Sequence, residues 1–300
     1  MSETLHLTLK VSLVLFMVGN LLDMGLRLNL SEAIRGLRDL RFVILTLFWG
    51  FGVLPAVGWL LTRMLPLDPP LATGLLLLSM TPCAPFLPPM AERAGADRGY
   101  TAAFMLVASV VTVAYLPVAV PRWVGGLSVD AGTIARPLVL FLLIPLLAGL
   151  ALQHHSRPWS ARVHPVVKFV TGVDTLLMLL LCLTLYGRGF LGLFGTYAIG
   201  AQLIFFTTAT VLPALFGFGL PPAQRCVLSL GMATRNLGAA FAPLFAVQSA
   251  DRRAIVMVAL GVLMQSAFSF ASATWFGRRQ RTLSPGPTAR DTANPDTPRS

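Results

Sequence analysis

Nine apolar runs follow one another between residues 6 and 276, each close to the roughly 20 residues that a helix needs to cross a bilayer. They lie near 6–26, 40–63, 70–91, 97–121, 135–153, 165–187, 191–217, 222–248 and 254–276. A chain patterned in this way has few options. Hydrocarbon offers no water to an open backbone, so each run crosses as a closed helix. Only 12% of the 300 residues are charged, against about 25% in soluble domains, and the mean hydropathy is +0.74. That charge cannot cover a soluble surface. The expected fold is an all-α integral membrane protein with about nine transmembrane helices, spanning 1–276 and followed by a disordered tail over 277–300 rich in Arg, Ser, Thr and Pro.

The first run is followed by Asp23-Met24-Gly25-Leu26-Arg27 and not by a small-residue cleavage site, so it reads as a span. Cys83, Cys182 and Cys226 all fall in apolar stretches and read as packed thiols. The net charge of +11 comes mainly from arginines in short loops and the tail, which is membrane-flanking charge and does not call for nucleic acid. With the C-terminus inside, the inner segments hold Arg27, Arg35, Arg38, Arg41, Arg93, Arg98, Arg157, Arg162, Lys168, Arg225 and the tail arginines. The outer side holds fewer: Lys10, Arg63, Arg122, Arg136, Arg188, Arg252 and Arg253. The expectation is a multi-pass protein of the cell membrane with its N-terminus outside and its C-terminus in the cytoplasm.

Two stretches resemble each other. Val53-Leu54-Pro55-Ala56 recurs as Val211-Leu212-Pro213-Ala214, and residues 69–80 lie without gaps over 221–232, both beginning at Pro-Pro. The spans they open have opposite sense in the topology above, which makes an inverted repeat of about 5–121 and 135–276. Each matching helix is then interrupted at the same place, by Thr81-Pro82-Cys83-Ala84-Pro85-Phe86-Leu87-Pro88-Pro89 in the first half and by Gly231-Met232-Ala233-Thr234-Arg235-Asn236-Leu237-Gly238 in the second. Four prolines in eight residues cannot continue a regular helix. Non-helical backbone survives in a membrane only where protein buries it or a wet cavity adjoins it, and paired interruptions in inverted halves point to the substrate site of a secondary transporter. A pair of proline kinks held by neighbouring helices is the structural alternative.

With these motifs in order, the chain resembles the bile acid:sodium symporter superfamily over roughly residues 7–276. The resemblance rests on Met24-Gly25-Leu26-Arg27-Leu28, on Leu54-Pro55, on the Pro82 break followed by Ala91-Glu92-Arg93-Ala94-Gly95-Ala96-Asp97, and on Gly231 to Ala240 with Arg235-Asn236. It implies a panel domain and a core domain, with the two broken helices crossing at mid-membrane. It also implies transport of bile acids or other organic anions, usually with sodium, by a nine-helix version lacking the first of ten helices. The chain departs from the sodium-coupled pattern. Leu87-Pro88 stands where those members place Ser-Asn, Gly231 and Arg235 where they place a Glu and a Gln, and Gly50 where they place a Gln. Sodium needs oxygen ligands, as other hard cations do, and these changes remove oxygens and add a cation, which puts sodium coupling in doubt.

Pro85 and Pro88 at the first break, with Thr234, Arg235 and Asn236 at the second, are the candidate substrate-binding residues. An arginine at a helix centre costs about 2.5 to 3.5 kcal/mol on insertion scales, so Arg235 needs compensation. It either forks onto an anionic substrate, stands where sodium would sit, or pairs internally with a carboxylate or with carbonyls at the break. Asp174 lies inside the sixth run and is a candidate for proton coupling, for pairing with Arg235 or for capping a neighbour. Trp49, Trp59, Trp123, Trp159 and Trp275 read as interfacial anchors.

The sequence shows no Walker loop, zinc spacing or nucleophile with a partnered His. The expected function is secondary active transport of a small organic anion by alternating access, with no cofactor, sodium or proton as the coupling ion, the lipid bilayer as surroundings, and homodimerisation left open. The alternative is a non-transporting membrane receptor or scaffold on the same fold.

Overall fold

The computed structural model describes residues 2–83, 85, 87–124, 130–246 and 251–283. Its helices are α1 (Ser2–Arg27), α2 (Leu30–Leu37), α3 (Leu40–Leu47), α4 (Leu54–Met64), α5 (Pro69–Ser79), α6 (Leu87–Ala94), α7 (Arg98–Trp123), α8 (Ala131–Leu138), α9 (Ile144–His155), α10 (Arg157–Leu191), α11 (Ala198–Leu215), α12 (Pro222–Ala233), α13 (Leu237–Ala246) and α14 (Arg252–Leu283). Among the described residues seven helical stretches are long and apolar enough to cross a membrane: Leu7–Arg27, Leu40–Met64, Arg98–Trp123, Ala131–His155, Arg157–Leu191, Ala198–Leu215 and Arg252–Arg279. The runs expected at 70–91 and 222–248 appear instead as the interrupted pairs α5–α6 and α12–α13.

Two spans are continuous but locally widened. Phe48–Val53 joins α3 to α4 as a π-helix, and Val139–Leu143 joins α8 to α9 in the same way. In both, a proline follows two residues later, Pro55 and Pro145. A proline ring clashes with the carbonyl four residues back and gives that carbonyl no donor. The wider π turn relieves the clash without ending the span.

The helices pack in two groups. α1 lies against α9 and α10, while α5 and α6 pack on α14, α5 on α4, and α12 on α11 and α14. The groups meet through α7 against α8, α13 against α8, and α1 against α13. The α1–α9 contact is made backbone to backbone. A Cβ on Gly25 would stand 2.4 Å from the Leu146 carbonyl oxygen, and one on Gly149 would stand 2.6 Å from that of Leu22. Close approach of this kind drives helix association where lipid offers no hydrophobic gain.

Helix ends are capped by the expected chemistry. Asn29 accepts from Ser31 N–H at the start of α2, and Asp39 and Asp97 do the same for α3 and α7. Asp130 caps α8, and the Thr133 hydroxyl and amide that donate to it hold its carboxyl below the usual carboxylate range.

Three expectations change. α10 begins at Arg157, because Pro158 suits a first helical turn and Ser156 supplies the break before it. The segment from 277 does not begin a disordered tail: α14 runs on to Leu283, where Arg residues are good helix formers. Residues 284–300 lie outside the described residues. Trp49 is no interfacial anchor, being 4% exposed within the π-helix, whereas Trp59, Trp123, Trp159 and Trp275 are exposed.

Candidate functional site: the crossing of two interrupted helices

The two interruptions meet. Pro82 and Arg235 face each other in an antiparallel bridge, flanked by Cys83 N–H donating to the Thr234 carbonyl (3.0 Å) and Asn236 N–H donating to the Thr81 carbonyl (2.8 Å). Each break thus satisfies backbone groups that the other has freed, which is what a membrane interior requires. Pro82 occupies the pair position that makes no cross-strand hydrogen bonds, where its missing N–H costs nothing. Cys83 takes a φ of 75° to make the turn, a conformation that strains a side-chain-bearing residue. Beyond the crossing Asn236 starts α13 as its N-cap, its Oδ1 accepting from Ala239 N–H (3.1 Å).

Arg235 is 0% exposed. Its Nη1 donates to the Ser79 carbonyl (3.2 Å) and its Nη2 to the Met232 carbonyl (2.7 Å). Those carbonyls belong to the last turns of α5 and α12, which carry the partial negative charge of helix C-termini. The guanidinium also lies over the Phe205 ring at 4.9 Å, and its backbone N–H donates to Gln265 Oε1 (2.7 Å). Among the described residues it forms no ion pair. Two helix C-termini therefore converge on one cation that the chain itself supplies.

A cavity of about 530 Å³ opens among α1, α2, α6, α7, α9 and α10, within the range of small-molecule sites. Its walls carry Arg27, Arg98, Arg157, His164, Glu32 and Glu92, with Asn29, Gln153, Ser160 and Thr101 as neutral polar groups. Arg98 lies 3.6 Å from Glu92 with both side chains exposed to solvent, a pair worth little. Arg27 is held more firmly: Asp23 lies 3.2 Å from its Nε, and the same Nε donates to His164 Nε2 at 2.8 Å. His164 Nε2 is also 3.1 Å from Asp23 Oδ1. Ser160 Oγ caps the end of α1 by donating to the Leu26 carbonyl (3.0 Å). With Asp23 and Glu92 each facing an arginine, Arg157 stands out as a lining cation for which no ion pair appears among the described residues.

The sequence candidates divide between these two places. Thr234, Arg235 and Asn236 are buried in the crossing and hydrogen-bonded within it. Pro88 lines the cavity, and Pro85 is a half-buried turn residue between the two. Asp174 belongs to neither. It is 6% exposed, accepts from Ser12 Oγ at 2.7 Å, and has a second oxygen with no partner among the described residues. Its partner is α1 and not Arg235. The cavity residues Arg157, Ser160, Ala161 and His164 escaped sequence reading, although their spacing of 3, 4 and 7 places them on one helix face.

A helical membrane protein in which two interrupted spans cross, with a small-molecule-sized cavity among its helices, is of the transporter class. The chain belongs to the sodium bile acid symporter family, whose model matches residues 13–190. That stretch contains the first break, every residue that lines the cavity, and Asp174. The second break, with Arg235, lies outside it. A search of curated proteins gave no match.

Proposed function

We propose that this protein is a secondary active transporter of a small organic anion, working by alternating access around the crossed breaks in the cell membrane, with its N-terminus outside and its C-terminus in the cytoplasm. Arg235 serves as the fixed cation of the crossing, so that no sodium is needed there. The observation that carries this reading is the guanidinium bound to the C-terminal carbonyls of both interrupted helices. A cation placed there by the chain leaves no unmet charge for a soluble ion to meet. The cavity among α1, α2, α6, α7, α9 and α10, with more arginines than carboxylates on its walls, suits an anion.

The test is a thermal-shift screen of purified protein against carboxylates and sulfonates in sodium, potassium and choline chloride, followed by uptake of any stabilising anion into proteoliposomes. The expected result is one anion whose stabilisation and uptake are the same in all three salts. A shift specific to sodium would overturn the fixed-cation assignment. Complete burial of Thr234 and Arg235 favours the second reading, a receptor or scaffold on this fold, and tight binding without uptake would decide for it.

Two variants sharpen the proposal. Arg157→Gln removes a cation from the cavity wall; losing one charge-assisted hydrogen bond, about 1.5 to 3 kcal/mol, weakens anion binding by roughly ten- to a hundredfold. Binding unchanged in that variant would move the anion elsewhere. Proton coupling through Asp174 gives a separate expectation: Asp174→Asn takes up substrate at a rate that no longer follows an imposed pH gradient. Retained gradient dependence would remove Asp174 from the coupling step.

A further inference from the structure

A second pocket, of about 300 Å³, lies between the end of α11, the start of α12 and the end of α14. Its walls are Ala214, Leu215, Pro222, Arg225, Trp275, Phe276 and Arg279. It is remote in kind from the first cavity: among the described residues it has two arginines, no acidic side chain, and apolar walls. We propose that this pocket binds the phosphate headgroup of an anionic phospholipid.

Four observations converge on it. The pocket sits at the level where two spans end, since Leu215 closes α11 and Trp275 and Arg279 lie in the last turns of the α14 span. That is the depth of a headgroup. Arg225 is shaped for a ligand: its Nη2 donates to the Leu220 carbonyl (3.1 Å), while its Nε is buried with no hydrogen-bond partner among the described residues. Its stem lies directly on the backbone at Gly217, where a Cβ would come within 2.8 Å of both Cγ and Nε, so the loop fixes the guanidinium. Arg279 packs over the Trp275 ring at 5.4 Å, which sets a second guanidinium on the pocket wall.

The start of α12 adds to this field. Pro222 lines the pocket in the first turn of α12, and a helix N-terminus favours an anion. The rest of the surroundings choose lipid over a soluble anion. Leu215 and Trp275 on the pocket wall, with Phe216 and Phe218 in the segment that follows α11, are exposed large apolar side chains, which in an α-helical membrane protein face acyl chains. Basic pockets between helix ends, with apolar flanks, are the recognised setting for anionic headgroups.

The test uses the full-length protein in detergent micelles doped with lipids brominated on the acyl chains, which quench a tryptophan they touch. The expected result is that brominated phosphatidylglycerol quenches at a mole fraction at least fivefold lower than brominated phosphatidylcholine, and that Trp275→Phe removes this difference. Arg225→Gln with Arg279→Gln shifts the phosphatidylglycerol curve by roughly tenfold, from the loss of two interfacial charges. Arg122→Gln with Arg188→Gln, which removes the same charge from other helix ends, leaves it in place. Equal quenching by both lipids, an unmoved curve in the Arg225/Arg279 variant, or an equal shift in the Arg122/Arg188 variant would each overturn the site. Displacement by millimolar inorganic phosphate would assign the pocket to free phosphate and sink the lipid.

Discussion

Replacing Arg235 by alanine is expected to destabilise the protein by about 2 to 6 kcal/mol, since two buried carbonyls lose their donor at about 1 to 3 kcal/mol each. The carbonyls are those of Ser79 and Met232, which keep no donor from that side chain once it is truncated. The loss is not a matter of volume alone. Arg235→Met, which refills the space with an apolar chain, leaves the same two helix C-termini facing each other without a cation and is expected to be nearly as unstable. Arg235→Lys restores the charge without the planar fork and is expected to recover only part of the loss. Methylguanidinium at millimolar concentration fits the space that Arg235→Ala vacates, and raises the melting temperature of that variant while leaving the wild type unmoved. Melting followed by tryptophan fluorescence in detergent measures all four. An alanine variant that melts with the wild type would mean that the guanidinium contributes nothing to the crossing.

Gly25→Val is the second large effect. Valine would place its Cβ 2.4 Å from the Leu146 oxygen and 2.9 Å from the Leu150 nitrogen. Both are backbone atoms, so no side chain can turn aside, and α1 must move away from α9. Overpacking costs about 1 to 3 kcal/mol, occasionally more. Gly149→Val acts on the other side of the same contact and is expected to behave alike. The two together are expected to cost less than the sum, because one separation of the helices accommodates both. Strict additivity in the double variant would show that the two glycines do not share one contact.

The spans were legible because a run of apolar residues is the only feature a membrane crossing needs, and the breaks were legible because Pro82, Pro85, Pro88 and Pro89 cannot be hidden in a helix. The meeting of the breaks was expected from paired interruption in the two halves. For Arg235 the sequence left an anionic substrate, a sodium position, a carboxylate and carbonyls at the break all open. The partners are the main-chain carbonyls of Ser79 and Met232, and sequence could not choose them because carbonyls carry no residue-specific mark. The cavity was missed for a different reason. Arg27, Arg98 and Arg157 count as membrane-flanking charges when each is read in its own loop, and only packing gathers them around one space. α2 was missed because its buried side is just Ala33 and Gly36, too small an apolar signal for a helix search. Trp49 misled because an aromatic near the middle of a span looks the same in sequence whether it faces lipid or protein.

The position of Pro82 in the bridge has a consequence for motion. Its neighbours on the two strands make the paired hydrogen bonds, and Pro82 itself is asked for none. Sliding one strand by a single residue would bring the proline into a slot where a donor is required and none exists. The two interrupted helices are therefore locked in step at their midpoint: neither can creep past the other, and any displacement of this region has to carry both as one piece.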